Sequence, residues 1–441
     1  MDNSTIAAIA TPAGKGGIAI VRISGEKAHE CLDRVFGKKN MEMRKMYYGG
    51  VYDGDTLLDK CLCVKFDKGA SYTGEKTAEI QCHGGYACAQ DILEAVLKSG
   101  ARMAENGEFT RRAFLSGRID LSQAEAVGDM IEAETKSASR AAARLLSGAL
   151  GEKIFAFQDT IKELLTEIEA GIDYPEEMDE EITRQDIRTK CGEMLKETGE
   201  LVRGYNRGRI TKDGLKVALI GKPNAGKSSL LNFLCGCERA IVTPIAGTTR
   251  DTLHEVLDFA GVKVHLYDTA GIRESRDEIE QAGVERSKLT AKDSDAVLCV
   301  VDSTEPVDFS WLNIDELKDK RGLFVFNKTD IKKAEETALP LSWNRADISA
   351  VTGGGTEKIT DFIENLARES DCSTALSITS ARHCEALLGA EKSLEAAKNC
   401  DELDMASIDL TNAWTELGVI TGQTVTDDII DNIFKKFCVG K

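Results

Sequence analysis

The chain has 441 residues, of which 42% are hydrophobic and 29% charged, and its formal net charge is −18 at pH 7. At roughly 100–200 residues per domain, this length predicts two to four globular domains. The strong negative charge argues against a general electrostatic grip on nucleic acid or on an anionic membrane, although a local basic face stays compatible with it.

The thirteen cysteines are scattered and contain no two CxxC pairs. This pattern favours buried, reduced thiols over a zinc site or a disulfide framework. The amino terminus lacks the basic-then-apolar pattern of a signal sequence, and no run reaches the ~18 apolar residues that span a bilayer. We therefore expect a cytoplasmic protein without a membrane partner.

Residues 1 to about 118 alternate β-rich runs with glycine turns. The runs are Gly17–Ile23, Leu62–Phe66 and Ala78–Gln81. Short strands bounded by turns predict a compact α+β domain at the start of the chain.

From Leu121 to about Arg207 the pattern becomes helical. Apolar residues recur at steps of three and four between Leu145 and Ile168, which predicts a helix with one buried face. A proline and a run of acids over Asp173–Glu181 predict a solvated turn. Helical pattern returns near Ser377 and continues to the end.

Between the two helical stretches, strands alternate with helices. Four apolar runs predict buried parallel strands, at Val217–Ile220, Val264–Tyr267, Ala296–Val301 and Leu323–Phe326. The simplest topology is an α/β domain inserted into a helical domain. The predicted boundaries are 1–118 for the first domain, 119–212 and 372–441 for the two parts of the helical domain, and 213–371 for the inserted domain.

Residues 221–228, GKPNAGKS, follow the apolar run KVALI and precede a second apolar run at Leu230–Leu234. This is a GxxxxGK[ST] phosphate loop in its strand–loop–helix context. Lys227 would reach the β- and γ-phosphates, and Ser228 would bind Mg²⁺. The nucleotide contacts expected from this loop are Asn224, Ala225, Gly226, Lys227, Ser228 and Ser229.

Two further motifs stand at strand ends and identify the nucleotide as GTP. DTAG at 268–271 is placed to serve the magnesium water shell and the γ-phosphate. NKTD at 327–330 ends in a carboxylate that accepts hydrogen bonds from the guanine N1–H and amino group, which adenine does not supply. The contacts expected from these motifs and from a second base loop are Asp268, Thr269, Ala270, Gly271, Asn327, Lys328, Asp330, Ser349 and Ala350.

A threonine pair lies between the phosphate loop and DTAG. A threonine there can coordinate Mg²⁺ only when the γ-phosphate is present, which makes the segment a switch. We assign this role to Thr249, with an ordinary β-turn as the alternative. The nucleotide contacts expected from this segment are Thr243, Pro244, Ile245, Ala246, Gly247, Thr248 and Thr249.

The group that orients the hydrolytic water differs from that of Ras-like GTPases. They place a glutamine directly after DxxG, and here that position is Ile272. The acids within Glu274–Glu285 are candidates for the same task. Transition-state charge could be offset by Arg250, by Arg273, by a partner's arginine or by a monovalent cation.

Beyond these motifs, the whole chain resembles the MnmE (TrmE) family of tRNA-modification GTPases. The resemblance implies an α+β N-terminal folate-binding domain that also dimerises, an α-helical central domain and an inserted α/β P-loop (Ras-like) G domain. The segments that carry it are ATPAGKGGIAIVRISG (10–25), SYTGEKTAEIQCHGG (71–85), NGEFTRRAFLSGRIDLSQAEAV (106–127), GKPNAGKSSLLN (221–232), IAGTTRD (245–251), DTAGIRE (268–274) and FCVGK (437–441).

The resemblance also implies potassium-assisted hydrolysis when the G domains of a dimer meet. Asn224 matches the family's potassium ligand in the phosphate loop, and Thr243, Ile245 and Thr248 match the loop that caps the ion. Glu280 matches the water-orienting glutamate, although its spacing alone would suggest a solvated helix acid. The cation would offset negative charge between the phosphates.

At the two ends of the chain the resemblance implies a folate site. Arg22, Glu79 and Arg118 match the contacts of 5-formyltetrahydrofolate, although the family often has lysine at the last position. Without the resemblance, an ion pair and a solvated arginine would explain them. In the terminal CVGK, Cys438 matches a cysteine implicated in the modification, as nucleophile or bystander, and Lys441 lies near the folate. A prenylation box does not fit this terminus.

The predicted function is a dimeric, potassium-activated GTPase that acts with a flavin-dependent (FAD) partner of the MnmG (GidA) family. Together they would add a (carboxymethyl)aminomethyl group to C5 of the wobble uridine in certain tRNAs, using a tetrahydrofolate one-carbon unit. A ribosome- or RNA-associated regulatory GTPase and a dimerising regulatory protein with a vestigial folate pocket stay open as alternatives. Candidate tRNA contacts, with a solvated face as the alternative, are Arg111, Arg112, Arg118 and Arg140.

Overall fold

The computed structural model describes residues 4–174, 180–236, 254–268, 292–371 and 376–441. The chain divides into two compact units. The first unit is Met1–Ile131 with Arg144–Lys196 and Glu385–Lys441, and the second is Glu132–Ala143 with Glu197–Cys384. The predicted domain boundaries at residues 118, 212 and 371 stay predictions.

The described strands are β1 (Ile6–Ile9), β2 (Ile18–Ser24), β3 (Tyr47–Asp53), β4 (Thr56–Phe66), β5 (Thr77–His83), β6 (Arg102–Met103), β7 (Leu215–Ile220), β8 (His254–Phe259), β9 (Val262–Asp268), β10 (Ala296–Asp302), β11 (Arg321–Asn327) and β12 (Asn344–Asp347). The described helices are α1 (Ala28–Val35), α2 (Tyr86–Lys98), α3 (Glu108–Leu115), α4 (Leu121–Glu132), α5 (Lys136–Leu146), α6 (Ala149–Asp173), α7 (Glu180–Asp213), α8 (Lys227–Gly236), α9 (Ile314–Leu317), α10 (Glu357–Ser370), α11 (Ala381–Asn399), α12 (Leu403–Thr421) and α13 (Asp427–Phe434).

The first unit contains a six-stranded sheet in the order β3-β4-β5-β2-β1-β6. All of its pairings are antiparallel except that of β1 with β6. Alternate residues such as Val21 and Ile23 join α1 and α2 in a buried core on one face. The intervening residues, among them Arg22, point to the opposite face because side chains alternate along a strand.

The α+β character predicted for this region is confirmed, and the three predicted runs lie within or overlap β2, β4 and β5. The sequence pattern missed β1, β3 and β6. β1 has only four residues, β6 only two, and β3 contains two glycines, so none of them shows the long alternation that marks a strand.

The helical part of the first unit is built around α6 and α12. The apolar stripe predicted from Leu145 to Ile168 is interrupted at Gly148, which has φ +90° and ends α5 before α6 begins. The buried residues of α6 include Leu150, Ile161 and Ile168. The predicted return of helix near Ser377 begins four residues later, at Ala381.

The second unit contains a sheet in the order β12-β11-β10-β7-β9-β8. Its pairings are parallel apart from that of β8 with β9. Leu219 and its alternate neighbours face a core that includes residues of α8 and α10. Ala218 and its neighbours face a second core that contains Trp343. Burial on both faces explains the continuous apolar runs, and the four predicted strands are confirmed.

None of the helices in the described ranges is both long and apolar enough to span a bilayer.

Candidate functional site: a phosphate loop and a docked carboxyl-terminal tail

The loop between β7 and α8 has backbone conformations that few residues adopt. Asn224 has φ +63° and Gly226 has φ +94°. A Cβ atom on Gly226 would lie 2.1 Å from Nδ2 of Asn327, the last residue of β11. Only glycine therefore allows this close approach. The strand–loop–helix arrangement leads directly into the N-terminus of α8, where phosphate groups bind.

Lys227 is held inside this loop and is only 5% exposed. Its Nζ donates to the carbonyl oxygens of Gly221, at 2.7 Å, and Lys222, at 3.0 Å. The ammonium is thus fixed by the loop's own backbone. Ser228 and Asn224 are exposed, so both can reach a ligand or an ion.

Asn327 joins the phosphate loop to the second base loop. Its side chain is buried, Nδ2 donates to the Ala225 carbonyl at 3.0 Å, and Oδ1 accepts from the Ala350 N–H at 3.0 Å. One amide therefore holds both loops in place. The sequence motif marked Asn327 as a nucleotide contact but did not reveal this bridging role.

In the rest of the NKTD motif, Lys328 is paired with an acid and Asp330 is exposed. Lys328 Nζ lies 2.5 Å from Asp302 Oδ2 at the end of β10. Burial raises the pKa of Asp302, but hydrogen bonds from Lys328 and Thr304 outweigh it, so the pKa is lowered overall. Asp330 is exposed, while Ser349 is buried. This places an accessible acidic side chain beside the loop that would bracket the base.

Several predicted residues lie outside the described part of the chain, and of Asp268 only the backbone, as the last residue of β9, is described. The residues outside are Thr243, Pro244, Ile245, Ala246, Gly247, Thr248, Thr249, Arg250, Thr269, Ala270, Gly271, Ile272, Arg273 and Glu280.

Arg22 stands at the centre of a second polar cluster, on the sheet face opposite α1 and α2. Its Nε donates to Glu79 Oε1 at 2.9 Å, and the two residues are direct neighbours across β2 and β5. Its guanidinium carbon lies 5.7 Å from the Tyr72 ring centroid and 5.8 Å from that of Phe109. The Arg22–Glu79 ion pair that the sequence offered as the alternative is therefore present. It lies beside two aromatic rings that the sequence did not indicate.

Arg118 acts on the segment that carries Tyr72. Its Nη1 donates to the Gly69 carbonyl at 3.0 Å. The Tyr72 hydroxyl lies 2.9 Å from Thr110 Oγ1 on α3. These bonds connect residues 69–76 to the end of α3, so Arg118 belongs to the wall of the Arg22 cluster.

A buried ion network supports the same wall. Glu108 accepts from Arg112 at 2.8 Å and from Arg102 at 2.7 Å, and Arg112 also donates to Glu75 at 3.0 Å. Burial raises the pKa of Glu108, but hydrogen bonds led by that from Arg102 lower it overall. Arg112 is therefore neither solvated nor available to RNA, and Arg111 pairs with Asp431 at 2.7 Å. The candidate RNA role of Arg112 was wrong because its charge is used inside the fold.

The carboxyl-terminal tail, residues 438–441, docks on the start of α3. Val439 pairs antiparallel with Asn106, and the Phe109 N–H donates to the Lys441 carbonyl oxygen at 3.1 Å. Gly440 has φ +98°, and a Cβ atom there would lie 2.2 Å from the Ile9 oxygen. The tail thus lies beside Phe109, whose ring faces Arg22, and it holds Cys438 in an exposed position.

Two family models match the chain. The GTP-binding protein TrmE N-terminus matches residues 5–118, and the MnmE helical domain matches residues 121–438. A tRNA modification GTPase MnmE from Clostridioides difficile (strain 630) is 42% identical over 456 residues, covering 100% of this chain and 99% of the relative. The chain belongs to the MnmE family of tRNA modification GTPases.

A second MnmE relative, from Lachnoclostridium phytofermentans, is 41% identical and covers 100% of both chains. Among solved structures, the G domain of the T. maritima FeoB iron transporter is 28% identical and covers 35% of this chain and 98% of its own, with a TM-score of 0.27. MnmE membership confirms the predicted fold class: an α+β N-terminal domain, a helical domain and an inserted P-loop G domain.

Membership of a GTPase family implies GTP and Mg²⁺. Mg²⁺ in such sites uses one or two protein ligands together with phosphate oxygens and water. The Ser228 hydroxyl, exposed at the first turn of α8, fits this requirement. In the described part of the chain no group of three or more His, Cys, Asp or Glu could hold a metal by itself.

Cys438 differs in exposure from the other described cysteines of this MnmE chain. Those are buried or half-buried, and no disulfide joins any of the described cysteines. Burial raises the pKa of Cys82, Cys191 and Cys299 to about 12, which makes their thiolates scarce at neutral pH. Among the cysteines that the structure describes, Cys438 is thus the most accessible to a second molecule.

Proposed function

We propose that this chain is a cytoplasmic, potassium-activated GTPase that works as a homodimer with an MnmG (GidA) family FAD-dependent protein. The pair installs a (carboxymethyl)aminomethyl group at C5 of the wobble uridine of certain tRNAs, with a tetrahydrofolate one-carbon unit as the carbon source. The observation that supports it most is the docking of the Cys438 tail beside the Arg22 cluster. A GTPase that only switches has no need of that arrangement.

The nucleotide roles follow from the phosphate loop and the base loops. Lys227 balances phosphate charge, Ser228 and Thr249 bind Mg²⁺, and Asp330 accepts from guanine. Asn327 keeps the two loops in register through its two hydrogen bonds. GTP hydrolysis then drives a conformational cycle and supplies no atom to the tRNA.

Potassium takes the place of an arginine in this proposal. Asn224 offers an exposed amide oxygen on the phosphate loop, and Thr243, Ile245 and Thr248 complete the ligand set. Glu280 orients the water, because Ile272 has no polar group for that task. Charge between the phosphates is offset where it develops.

The folate site is proposed on the face of the first sheet opposite α1 and α2. Arg22, Glu79 and Arg118 would contact 5-formyltetrahydrofolate, with Lys441 close by. Arg22 already has one carboxylate and two aromatic rings around it, a setting that suits a flat, polar heterocycle. Exposed apolar side chains such as Ile18 and Tyr86 leave surface of the first domain for a second copy.

Deleting residues 438–441 tests the modification chemistry. We expect wobble uridine modification to be lost in cells, measured by mass spectrometry of tRNA nucleosides, with GTP hydrolysis by the purified protein unchanged. Unaltered tRNA would reject the proposal and favour a ribosome- or RNA-associated GTPase that modifies nothing.

Potassium and dimerisation are tested together by the GTPase rate as a function of protein concentration in potassium or sodium salt. We expect faster hydrolysis in potassium, and a rate per molecule that rises with concentration as dimers form. Equal rates in the two salts would return the charge-offsetting role to Arg250 or Arg273.

Folate binding is tested by calorimetric titration of 5-formyltetrahydrofolate. We expect binding to the wild type and at least roughly tenfold weaker binding to Arg22→Ala, since a charged hydrogen bond contributes about 1.5–3 kcal/mol. Lys162→Ala, at an exposed position of α6, is the control. A wild type that binds no folate would favour the vestigial-pocket alternative.

A further inference from the structure

Residues 37–48, which run from just after α1 into the first two residues of β3, form a basic loop in an acidic protein. It has four cations, Lys38, Lys39, Arg44 and Lys45, against one acid, Glu42, whereas the whole chain has a net charge of −18. All four cations are exposed. The neighbouring Asp33–Lys65 ion pair, at 2.6 Å, removes a further acid from competition for them.

The loop has a defined shape. Arg44 has φ +60°, a conformation that is rare for a non-glycine residue. Its N–H donates to the Lys65 carbonyl at 2.8 Å, and the Glu42 N–H donates to the Tyr47 hydroxyl at 3.1 Å. Residues held in rare backbone conformations concentrate at functional sites. The fold holds the exposed Arg44 in a left-handed backbone conformation that glycine would adopt more readily.

Two aromatic residues follow these cations in the chain. The Tyr47 ring centroid lies 4.8 Å from Lys38 Nζ and 5.8 Å from Lys45 Nζ. Tyr48, opposite Leu62 in the β3–β4 pair, points to the other face of the edge strand β3 and is 65% exposed. Cations that follow a phosphate backbone, and an exposed ring on which a base can stack, are the elements with which proteins bind unpaired nucleic acid.

We propose that the basic loop binds RNA, with Lys38, Lys39 and Arg44 on the phosphates and Tyr48 stacked on an unpaired base. The inference rests on the proposed function in one respect, that the RNA is the tRNA substrate. An acidic protein surface would also suit the cations, but RNA is favoured because the chain belongs to a tRNA modification family and a polyanion complements four exposed cations. The loop thus gives a place for RNA contact that the overall negative charge conceals.

The test is fluorescence anisotropy with a labelled anticodon stem-loop RNA and the full chain, at several salt concentrations. The double variant Lys38→Glu/Lys39→Glu is expected to bind at least roughly tenfold more weakly in low salt. The slope of log K against log salt should fall by about 0.7 for each lost contact to an unpaired strand. Tyr48→Ala should also weaken binding roughly tenfold, while Tyr48→Phe, which keeps the ring, stays within about twofold of wild type.

The matched control is Lys162→Glu/Lys392→Glu, which makes the same change in net charge at exposed positions of α6 and α11. It should stay within about twofold of wild type. Equal losses in both double variants, or a wild type that does not bind the RNA, would overturn the proposal. So would loop variants that keep RNA affinity and lose the flavoprotein partner, which would identify the loop as a protein contact.

These measurements distinguish loss of RNA binding from loss of tRNA modification. The anisotropy readout needs no folate, flavin or GTP hydrolysis, so loss of RNA binding in the loop variants supports the proposal even if wobble uridine modification is absent. GTPase rates of all variants should equal that of wild type, because the loop belongs to the first unit and the phosphate loop to the second.

Discussion

The GTP site and the Arg22–tail site are built in different ways. The described part of the GTP site comes from short contiguous motifs, each at the end of a strand in one sheet. The Arg22–tail site is assembled from β2, β5, residues 69–76, α3 and the last four residues. A residue's function can be predicted from sequence when all residues that perform one task lie in one short motif. It cannot when those residues come from segments hundreds of positions apart.

The physical reason lies in strand direction. Parallel strands bring all their carboxyl ends to one edge, so a loop after any of them reaches the same crevice. β7 and β11 are such strands, and Asn327, the last residue of β11, bonds to Ala225 in the loop after β7. In the antiparallel first sheet, strand ends alternate between the two edges, and the topology alone does not gather the loops.

The largest effect is expected at Asp330, the single side chain that we expect to recognise guanine. Asp330→Asn replaces an acceptor of the guanine N1–H and amino group by an amide that can donate to the C2 oxygen of xanthine. We expect GTP affinity to fall at least about a hundredfold, with xanthosine triphosphate preferred, because unmatched polar groups discriminate strongly. Competition for a fluorescent nucleotide measures both affinities.

The control for Asp330 is Asp319→Asn, at another exposed acid of the G domain. It should leave both affinities within about twofold. If Asp330→Asn preferred GTP as strongly as wild type does, base recognition would have to come from another loop. The GTP site would then be less contiguous in sequence than its motifs indicate.

The next largest effect is expected at Glu108, in the ion network that supports the Arg22–tail site. Glu108→Gln leaves two arginines of the buried network partly unpaired, so local unfolding of α3 should become about 3 kcal/mol easier at pH 7. Hydrogen exchange of the peptide covering 104–115 measures this. Glu94→Gln, on the exposed side of α2, should have little effect.

The pH dependence has a definite sign. The pKa of Glu108 in the folded chain lies below its ordinary value of 4.5. Its stabilising contribution is therefore complete above about pH 4.5 and is lost as the pH falls through the folded-state pKa. The difference between wild type and Glu108→Gln should shrink at pH 4 and below. A difference that is constant with pH would show that Glu108 acts through packing and not through its charge.

Sequence predicted the four inner strands of the second sheet, helped by β7, β10 and β11 being buried on both faces and so largely apolar, and it missed the edge strands β8 and β12. It predicted less of the first sheet, where β3 has glycines at its centre and β1 and β6 are short. The residues around the phosphates could be named in advance because glycine and lysine have few other reasons to occur in that order. The bridge at Asn327, the rings around Arg22 and the internal use of Arg112 depend on tertiary contacts, which no local pattern encodes.

The smallest effect expected is at Gly440, and it tests whether the tail has to be docked. Gly440→Ala adds a Cβ atom 2.2 Å from the Ile9 oxygen, so residues 438–441 must shift away from the end of β1. Since Cys438 stays on the chain, we expect wobble uridine modification to fall roughly tenfold rather than vanish, as displacement of a reacting group by about 1 Å can cost more than that. GTP hydrolysis should not change.

The matched control separates strain from position. Gly54 also has positive φ, at +58°, but no atom lies within 4 Å of the place its Cβ would occupy. Gly54→Ala therefore also places an alanine at positive φ, at a cost of about 1 kcal/mol, without the collision. Equal modification by the two variants would mean that the docked position of the tail is not what the chemistry uses. A loss confined to Gly440→Ala would show that a site dispersed over the whole chain depends on one glycine at its end.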